Sequence, residues 1–178
     1  YHSHVLYSDD HGRRWQIGGR AQNGTNECAV VETVDGLLYL NSRNYVGEKC
    51  RVGSWSHNQG DSFQEGCWEE ELIEPVCQAS LIRYTEEISS NRNRILFSNP
   101  ASMNRERMTI RISYDECQTW SNGKVLHAGP AAYSDLCLDA EQRICCLYER
   151  GETDPYETIS FDQFDLGWLT GGADRLRP

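Results

Sequence analysis

Ser8-Asp9-Asp10-His11-Gly12-Arg13-Arg14-Trp15 and Ser113-Tyr114-Asp115-Glu116-Cys117-Gln118-Thr119-Trp120 share the frame S-x-D-x-x-x-x-W. Ser56-His57-Asn58-Gln59-Gly60-Asp61-Ser62-Phe63 is a degenerate third copy. The octet reads as a tight turn. Its Ser and Asp (or Asn) side chains bond backbone groups, Gly tolerates the positive φ, and the final Trp or Phe is expected to bury beneath the turn. The copies start at positions 8, 56 and 113, so they lie 48 and 57 residues apart, about the length of one four-stranded propeller blade. Ser8, Asp10, Gly12, Trp15, Ser56, Asn58, Gly60, Phe63, Ser113, Asp115 and Trp120 are therefore assigned structural roles.

Working outward from the repeats, strand-sized runs occur at Ala29–Val34, Leu37–Arg43, Ser80–Thr85, Arg94–Ser98, Met108–Ser113, Tyr133–Leu138, Ile144–Glu149 and Thr158–Phe164. Met108, Ile110 and Ile112 alternate with Thr109, Arg111 and Ser113, the period of two expected of a strand with one buried face. Asp35-Gly36 between the first two runs predicts a type I′ hairpin. No helical periodicity is sustained, so the chain reads as all-β, built from antiparallel meanders.

Composition sets the outer limits. A chain of 178 residues with 38% hydrophobic and 25% charged residues predicts one compact domain spanning 1–178. The formal net charge of −10 has the wrong sign for holding a polyphosphate backbone, so nucleic acid is not an expected partner. No apolar run approaches the roughly 20 residues that span a bilayer, and no basic-then-apolar export segment opens the sequence. The chain opens at Tyr1, which fits a processed or excised piece. Its eight cysteines include no CxxC and no zinc-like spacing, so no metal or cofactor is expected. They could pair across neighbouring strands or remain buried thiols. Together with the sequon Asn23-Gly24-Thr25, they tilt the expected compartment toward secretion or a lysosome-like lumen.

The octets are Asp boxes, the turn motif of sialidase-like propellers, and the segments between them resemble the exo-α-sialidase (neuraminidase) family over nearly the whole chain. Asn26-Glu27-Cys28 through Asn41-Ser42-Arg43 is similar to the family segment that supplies a catalytic Glu and, sixteen residues later, an Arg. Phe97–Ala101 followed by Arg105 and Thr109-Ile110-Arg111 resembles the segment carrying another Arg of a carboxylate-binding triad. Ala132-Tyr133-Ser134-Asp135-Leu136 resembles the nucleophile segment, Leu147-Tyr148-Glu149 the segment whose Glu braces an Arg, and Phe161–Leu169 the closing strand. Gln78 falls where some members place a substrate-contacting Gln. Family domains are six-bladed, and the matched motifs all belong to the second half. The resemblance thus implies about three blades here, with antiparallel four-stranded sheets. The first triad Arg and the Asp acid/base have no counterpart in this sequence. The open sheet edges then imply a partner, either an N-terminal half of the same propeller or another copy of the chain.

The residue types make chemical sense together. A sialoside carries a carboxylate on its anomeric carbon, so a carboxylate nucleophile would meet a like charge, at a cost of about 4 kcal/mol at 4 Å and an effective dielectric near 20. A neutral Tyr avoids that repulsion but needs a base to take its proton. Tyr133 and Glu27 fill those roles, in a retaining reaction through a glycosyl-tyrosine intermediate. Arg43 and Arg105 offer planar forks for the substrate carboxylate. Sialylated glycans are the implied substrates. The alternative of a sialic-acid-binding lectin uses the arginines but leaves an activated phenol without purpose. A generic Asp-box interaction propeller explains the boxes and none of the rest.

Overall fold

The computed structural model describes residues 1–176, which form twelve strands and one short helix. In chain order these are β1 His2–Tyr7, β2 Gln16–Asn23, β3 Thr25–Glu32, β4 Leu38–Asn44, β5 Cys50–Ser56 and β6 Cys67–Ile73. There follow β7 Ser80–Thr85, β8 Arg94–Pro100, β9 Glu106–Ser113, β10 Lys124–Leu138, β11 Ile144–Arg150, β12 Thr158–Phe164 and α1 Leu166–Thr170. Every strand pairing is antiparallel. β1 pairs with β2, β3 to β6 form one four-stranded sheet, and β7 to β12 form a six-stranded sheet in chain order.

That larger sheet is two blades joined by a single strand. The first part of β10 pairs with β9, from Lys124 opposite Ile110 to Pro130 opposite Glu106. Its second part pairs with β11, from Ala131 opposite Arg150 to Leu138 opposite Ile144. β10 is thus the fourth strand of the β7–β10 blade and then the first strand of the next. The expected all-β propeller fraction is what the chain forms.

The three octets each join two antiparallel neighbours, β1/β2, β5/β6 and β9/β10, and the last two are the turn between the third and fourth strands of a blade. Their hydrogen bonds superpose. The Ser hydroxyl accepts the N–H four residues on, at 2.8 Å in Gly12, 2.9 Å in Gly60 and 2.9 Å in Cys117. The Asp or Asn Oδ1 accepts the N–H of Arg14, Ser62 or Thr119 at 2.8 to 3.0 Å. Each turn holds two successive positive φ values: His11 and Gly12, Gln59 and Gly60, and Glu116 and Cys117. The copy at Ser113–Trp120 therefore adopts the same turn with no glycine, held by its side-chain bonds and by neighbouring blades.

Two core clusters lie between blades. Val31, Tyr39, Leu72, Leu81, Ile95, Phe97, Cys117 and Trp120 pack the β3–β6 blade on the β7–β10 blade. Tyr84, Leu96, Met108, Ile110, Ile112, Leu136, Ile144, Cys146 and Tyr148 pack the latter on β11 and β12. Each fully buried side chain of this size contributes about 1.5–3 kcal/mol. Blades on both faces explain a departure from expectation: Thr109, Arg111 and Ser113 are buried along with the apolar residues of β9.

Two local expectations are corrected. Trp120 is buried and Phe63 packs against a small cluster, but Trp15 is 64% exposed. The two-stranded β1–β2 unit offers it no core, and its indole N–H bonds only Gly12 O of its own turn. The Asp35-Gly36 hairpin exists, yet only Gly36 of the two has a positive φ. Gly36 N–H donates to Thr33 O and Thr33 N–H to Leu37 O, so a three-residue loop with a left-handed Gly replaces the type I′ turn. The eight cysteines are free thiols, with Cys137 directly opposite Cys145 across β10 and β11. β1, β2, β5, β6, the first half of β10 and the five-residue α1 are elements that periodicity did not reveal.

Candidate active site

β3, β7 and the second half of β10 are the first strands of three successive blades, and they lie side by side, with β7 touching both others. Side chains that leave these strands at the same end converge. The register supplies the exit points. Asn26 pairs with Arg43 and Cys28 with Ser42, so Glu27 is an extra residue, a bulge with φ of 31°. On β10, Ala131 pairs with Arg150 and Ser134 with Tyr148, so Ala132 and Tyr133 together oppose Glu149. Bulges turn a side chain out of the ladder's alternation, and here they aim Glu27 and Tyr133 at each other across 106 residues of sequence.

Tyr133 donates its phenol O–H to Glu27 Oε1 at 2.6 Å. Arg43 Nη1 donates to Tyr133 Oη at 3.1 Å and also to Glu27 Oε2. The Arg105 guanidinium stands over the Tyr133 ring, 5.7 Å from its centroid. The sequence-predicted Glu27, Arg43, Arg105 and Tyr133 thus meet around one phenol. Arg111 instead is buried in its blade, donating to Asn99 Oδ1 at 3.2 Å.

Glu149 and Gln78 brace the strand that carries Tyr133. The bulge strips Tyr133 N–H of a ladder partner, and Glu149 Oε2 accepts it at 3.1 Å. Gln78 pairs with Ser134 like a short strand: its Nε2 donates to Ser134 O at 3.0 Å and its Oε1 accepts Ser134 N–H at 3.0 Å. Both ends of its amide are engaged with backbone. Sequence reading missed Tyr156 and Val76, which hold Arg105. Tyr156 Oη accepts from Arg105 Nη1, its ring centroid 5.8 Å from the guanidinium, and Val76 O accepts from Arg105 Nη2 at 3.0 Å. Asp154-Pro155 just before Tyr156 is a turn signal, but no local pattern aims that loop at Arg105.

The electrostatics define protonation. Burial pushes the Glu27 carboxyl upward, but hydrogen bonds from Tyr133 and Arg43 and the charges of Arg43 and Arg105 outweigh it. Its proton affinity falls below the usual carboxylate value. Burial, the hydrogen bond to Glu27 and that carboxylate's charge raise the Tyr133 phenol above its ordinary value, against a smaller opposing effect of Arg43. At neutral pH the pair is carboxylate and phenol, with the proton on the phenol oxygen and hydrogen-bonded to Glu27. An open groove of about 430 Å³, lined by Tyr133, Asp135, Leu147, Glu149 and Ile159 among others, lies beside it. A larger concavity of about 900 Å³ around Val34, Arg83 and Glu87 shares no residue with this cluster. Among the described residues, no group of three His, Cys, Asp or Glu side chains is arranged to hold a metal ion.

These features define an Asp-box β-propeller whose site is an arginine-flanked Tyr–Glu pair. Residues 1–146 match the BNR repeat-like domain family, and the chain belongs to it. It is 36% identical to a sialidase of Micromonospora viridifaciens over 170 residues, covering 93% of this chain and 26% of that protein. It is 31% identical to sialidase-2 of Rattus norvegicus, covering 88% of this chain and 44% of that one. Among solved structures, the Hadza microbial sialidase Hz136 superposes with a TM-score of 0.82 at 30% identity, over 94% of this chain and 33% of its own. The chain therefore spans less than half the length of each of these relatives.

Proposed function

We propose that this chain provides the nucleophile, the base and two carboxylate-binding arginines of an exo-α-sialidase acting on sialylated glycans. The observation that carries the reading is the 2.6 Å bond from Tyr133 to Glu27, flanked by two guanidinium groups. As the phenol oxygen attacks the anomeric carbon, its proton passes to Glu27 and the bond to the leaving glycoside oxygen breaks. Water then attacks the same carbon, giving its proton to the group that served the leaving oxygen, while Glu27 returns its proton to the departing phenolate, so configuration is retained. Arg43 and Arg105 hold the sugar carboxylate. Tyr133, being neutral, does not repel it.

Protonation of the leaving oxygen, worth about 10²–10⁴-fold, falls to a group supplied with the rest of the propeller, together with the first arginine. We assign that supply to an N-terminal half of the same fold or to a second copy. A pure binder has no use for a phenol hydrogen-bonded to a carboxylate, so the lectin reading is not favoured. Secretion or delivery to a lysosome-like lumen fits the exposed Asn23 of the sequon. Among the described residues no helix is long and apolar enough to cross a membrane. The test is release of 4-methylumbelliferone from its α-sialoside by the natively purified protein, alone and with the missing half supplied. Turnover that depends on Tyr133 supports the assignment. Absence of both turnover and sialic-acid binding in the completed assembly overturns it.

A further inference from the structure

Behind the site lies a charged pair that none of the proposed chemistry uses. Arg51 of β5 and Glu74, just after β6, both have 0% side-chain exposure and meet at 2.9 Å from Arg51 Nη1 to Glu74 Oε2. Such a pair is weak evidence of stabilisation, because burial of two charges costs about what their attraction returns. Its contacts suggest another role. Arg51 Nη2 reaches Glu27 O at 3.4 Å, the carbonyl of the bulged residue itself. Arg51 Nε and Nη2 hold Asn41 of β4 through Oδ1 at 2.6 Å and O at 3.3 Å. Glu74 Oε1 accepts the N–H of Asn44, the neighbour of Arg43, at 3.0 Å.

The same pair also clamps the segment 74–78. Arg51 Nη1 donates to Cys77 O at 2.7 Å and Glu74 Oε2 accepts Cys77 N–H at 3.2 Å. Between them Val76 is held at φ of 58°, a conformation that a β-branched residue adopts only when its surroundings impose it. That conformation presents Val76 O to Arg105, and the next residue but one, Gln78, grips Ser134 beside Tyr133. One ion pair therefore touches backbone at or next to Glu27 and Arg43, and through one short segment reaches Arg105 and Tyr133.

We infer that Arg51 and Glu74 are positioning residues, a buried hub that sets the mutual placement of Glu27, Arg43, Arg105 and Tyr133. The inference rests on the proposed function for its catalytic meaning but makes a structural claim of its own. Removing one partner would strand a charge, so the informative variant is the double Arg51→Met/Glu74→Leu, which leaves no unpaired charge and approximates the volume. Two readouts apply to the chain as purified. One is the ¹³C NMR titration of the Tyr133 ring carbon bearing oxygen, assigned with Tyr133→Phe. The other is the dissociation constant for the unsaturated analogue 2-deoxy-2,3-didehydro-N-acetylneuraminic acid.

The expected result is a fold that still melts cooperatively, at a temperature lowered because the Asn44 and Cys77 N–H groups lose their acceptor, with a Tyr133 midpoint moved back toward the ordinary phenol value and binding about tenfold weaker or worse. A folded double variant with the parent's midpoint and affinity overturns the inference. If the double variant does not fold, Glu74→Asp, which keeps the charge and withdraws the carboxylate, is read in the same way. If the parent alone does not bind the analogue, affinity is read in the assembly completed with the missing half; if that does not bind either, the sialidase reading fails, and the Tyr133 midpoint alone decides the positioning role.

Discussion

Glu149 stands opposite the bulge that carries Tyr133, and its carboxylate accepts the tyrosine's backbone N–H at 3.1 Å. The residue that the family resemblance assigns to bracing an arginine here braces the main chain of Tyr133. Glu149→Gln keeps an acceptor for that N–H and should leave the melting temperature within about 2 °C, whereas Glu149→Ala orphans it and should cost about 1–3 kcal/mol. Equal melting temperatures for both variants would remove this role.

Tyr133→Phe deletes the attacking oxygen while retaining the ring beneath Arg105. In the completed enzyme, turnover should fall by about 10³-fold or more, while the affinity for the unsaturated analogue changes little. Unchanged turnover of the aryl sialoside would displace Tyr133 from the mechanism.

For Arg105→Lys the expected loss is in binding. The ammonium cannot at once hold Val76 O, meet Tyr156 and offer a planar fork to a carboxylate. Losing one charge-assisted bond of about 1.5–3 kcal/mol corresponds to a KM roughly 10- to 100-fold higher. A KM equal to that of the parent would mean that the substrate carboxylate lies elsewhere.

The pH profile follows from Glu27. Its carboxyl is held below the ordinary value, so the base remains ionised down to an unusually acidic pH. The acid limb of kcat/KM assigned to it should lie below 4.5, the ordinary value for Glu, and vanish in Glu27→Gln. The same depression contributes stability that is present above the unfolded value and lost as pH falls through the folded one. Tyr133 is raised, so no alkaline limb from that phenol should appear near neutrality.

Asp115 serves the third Asp box, accepting from Ser113 Oγ, Thr119 N and Thr119 Oγ1 at 2.6 to 2.9 Å. Asp115→Ala should lower stability by about 2 kcal/mol, or about 5 °C for a domain of this size, with analogue binding unaffected. A loss of affinity at constant melting temperature would contradict a structural role.

Much of this was legible in the sequence because it is local. The octets name their own turns, and Ser80–Thr85 and Thr158–Phe164 coincide with β7 and β12 to the residue. β5 was invisible because it is buried on both faces with Arg51, Gly53 and Ser54 among its residues, so it shows neither alternation nor an apolar run. β6 carries three successive glutamates, a composition that reads as loop. The Tyr133, Glu27, Arg43 and Arg105 set was reached through resemblance, since nothing local says that residues 106 positions apart touch. Tyr156, Val76, Arg51 and Glu74 escaped for the opposite reason: their roles are set wholly by tertiary contacts.

Glu27 and Tyr133 are each surplus to the ladder in which they sit. Shortening either strand by one residue would mend the hydrogen-bonding register and improve the sheet, and the contact between Tyr133 and Glu27 would be lost. For this chain the most regular version of its fold is one without that pair, and selection for stability alone would pull it in that direction.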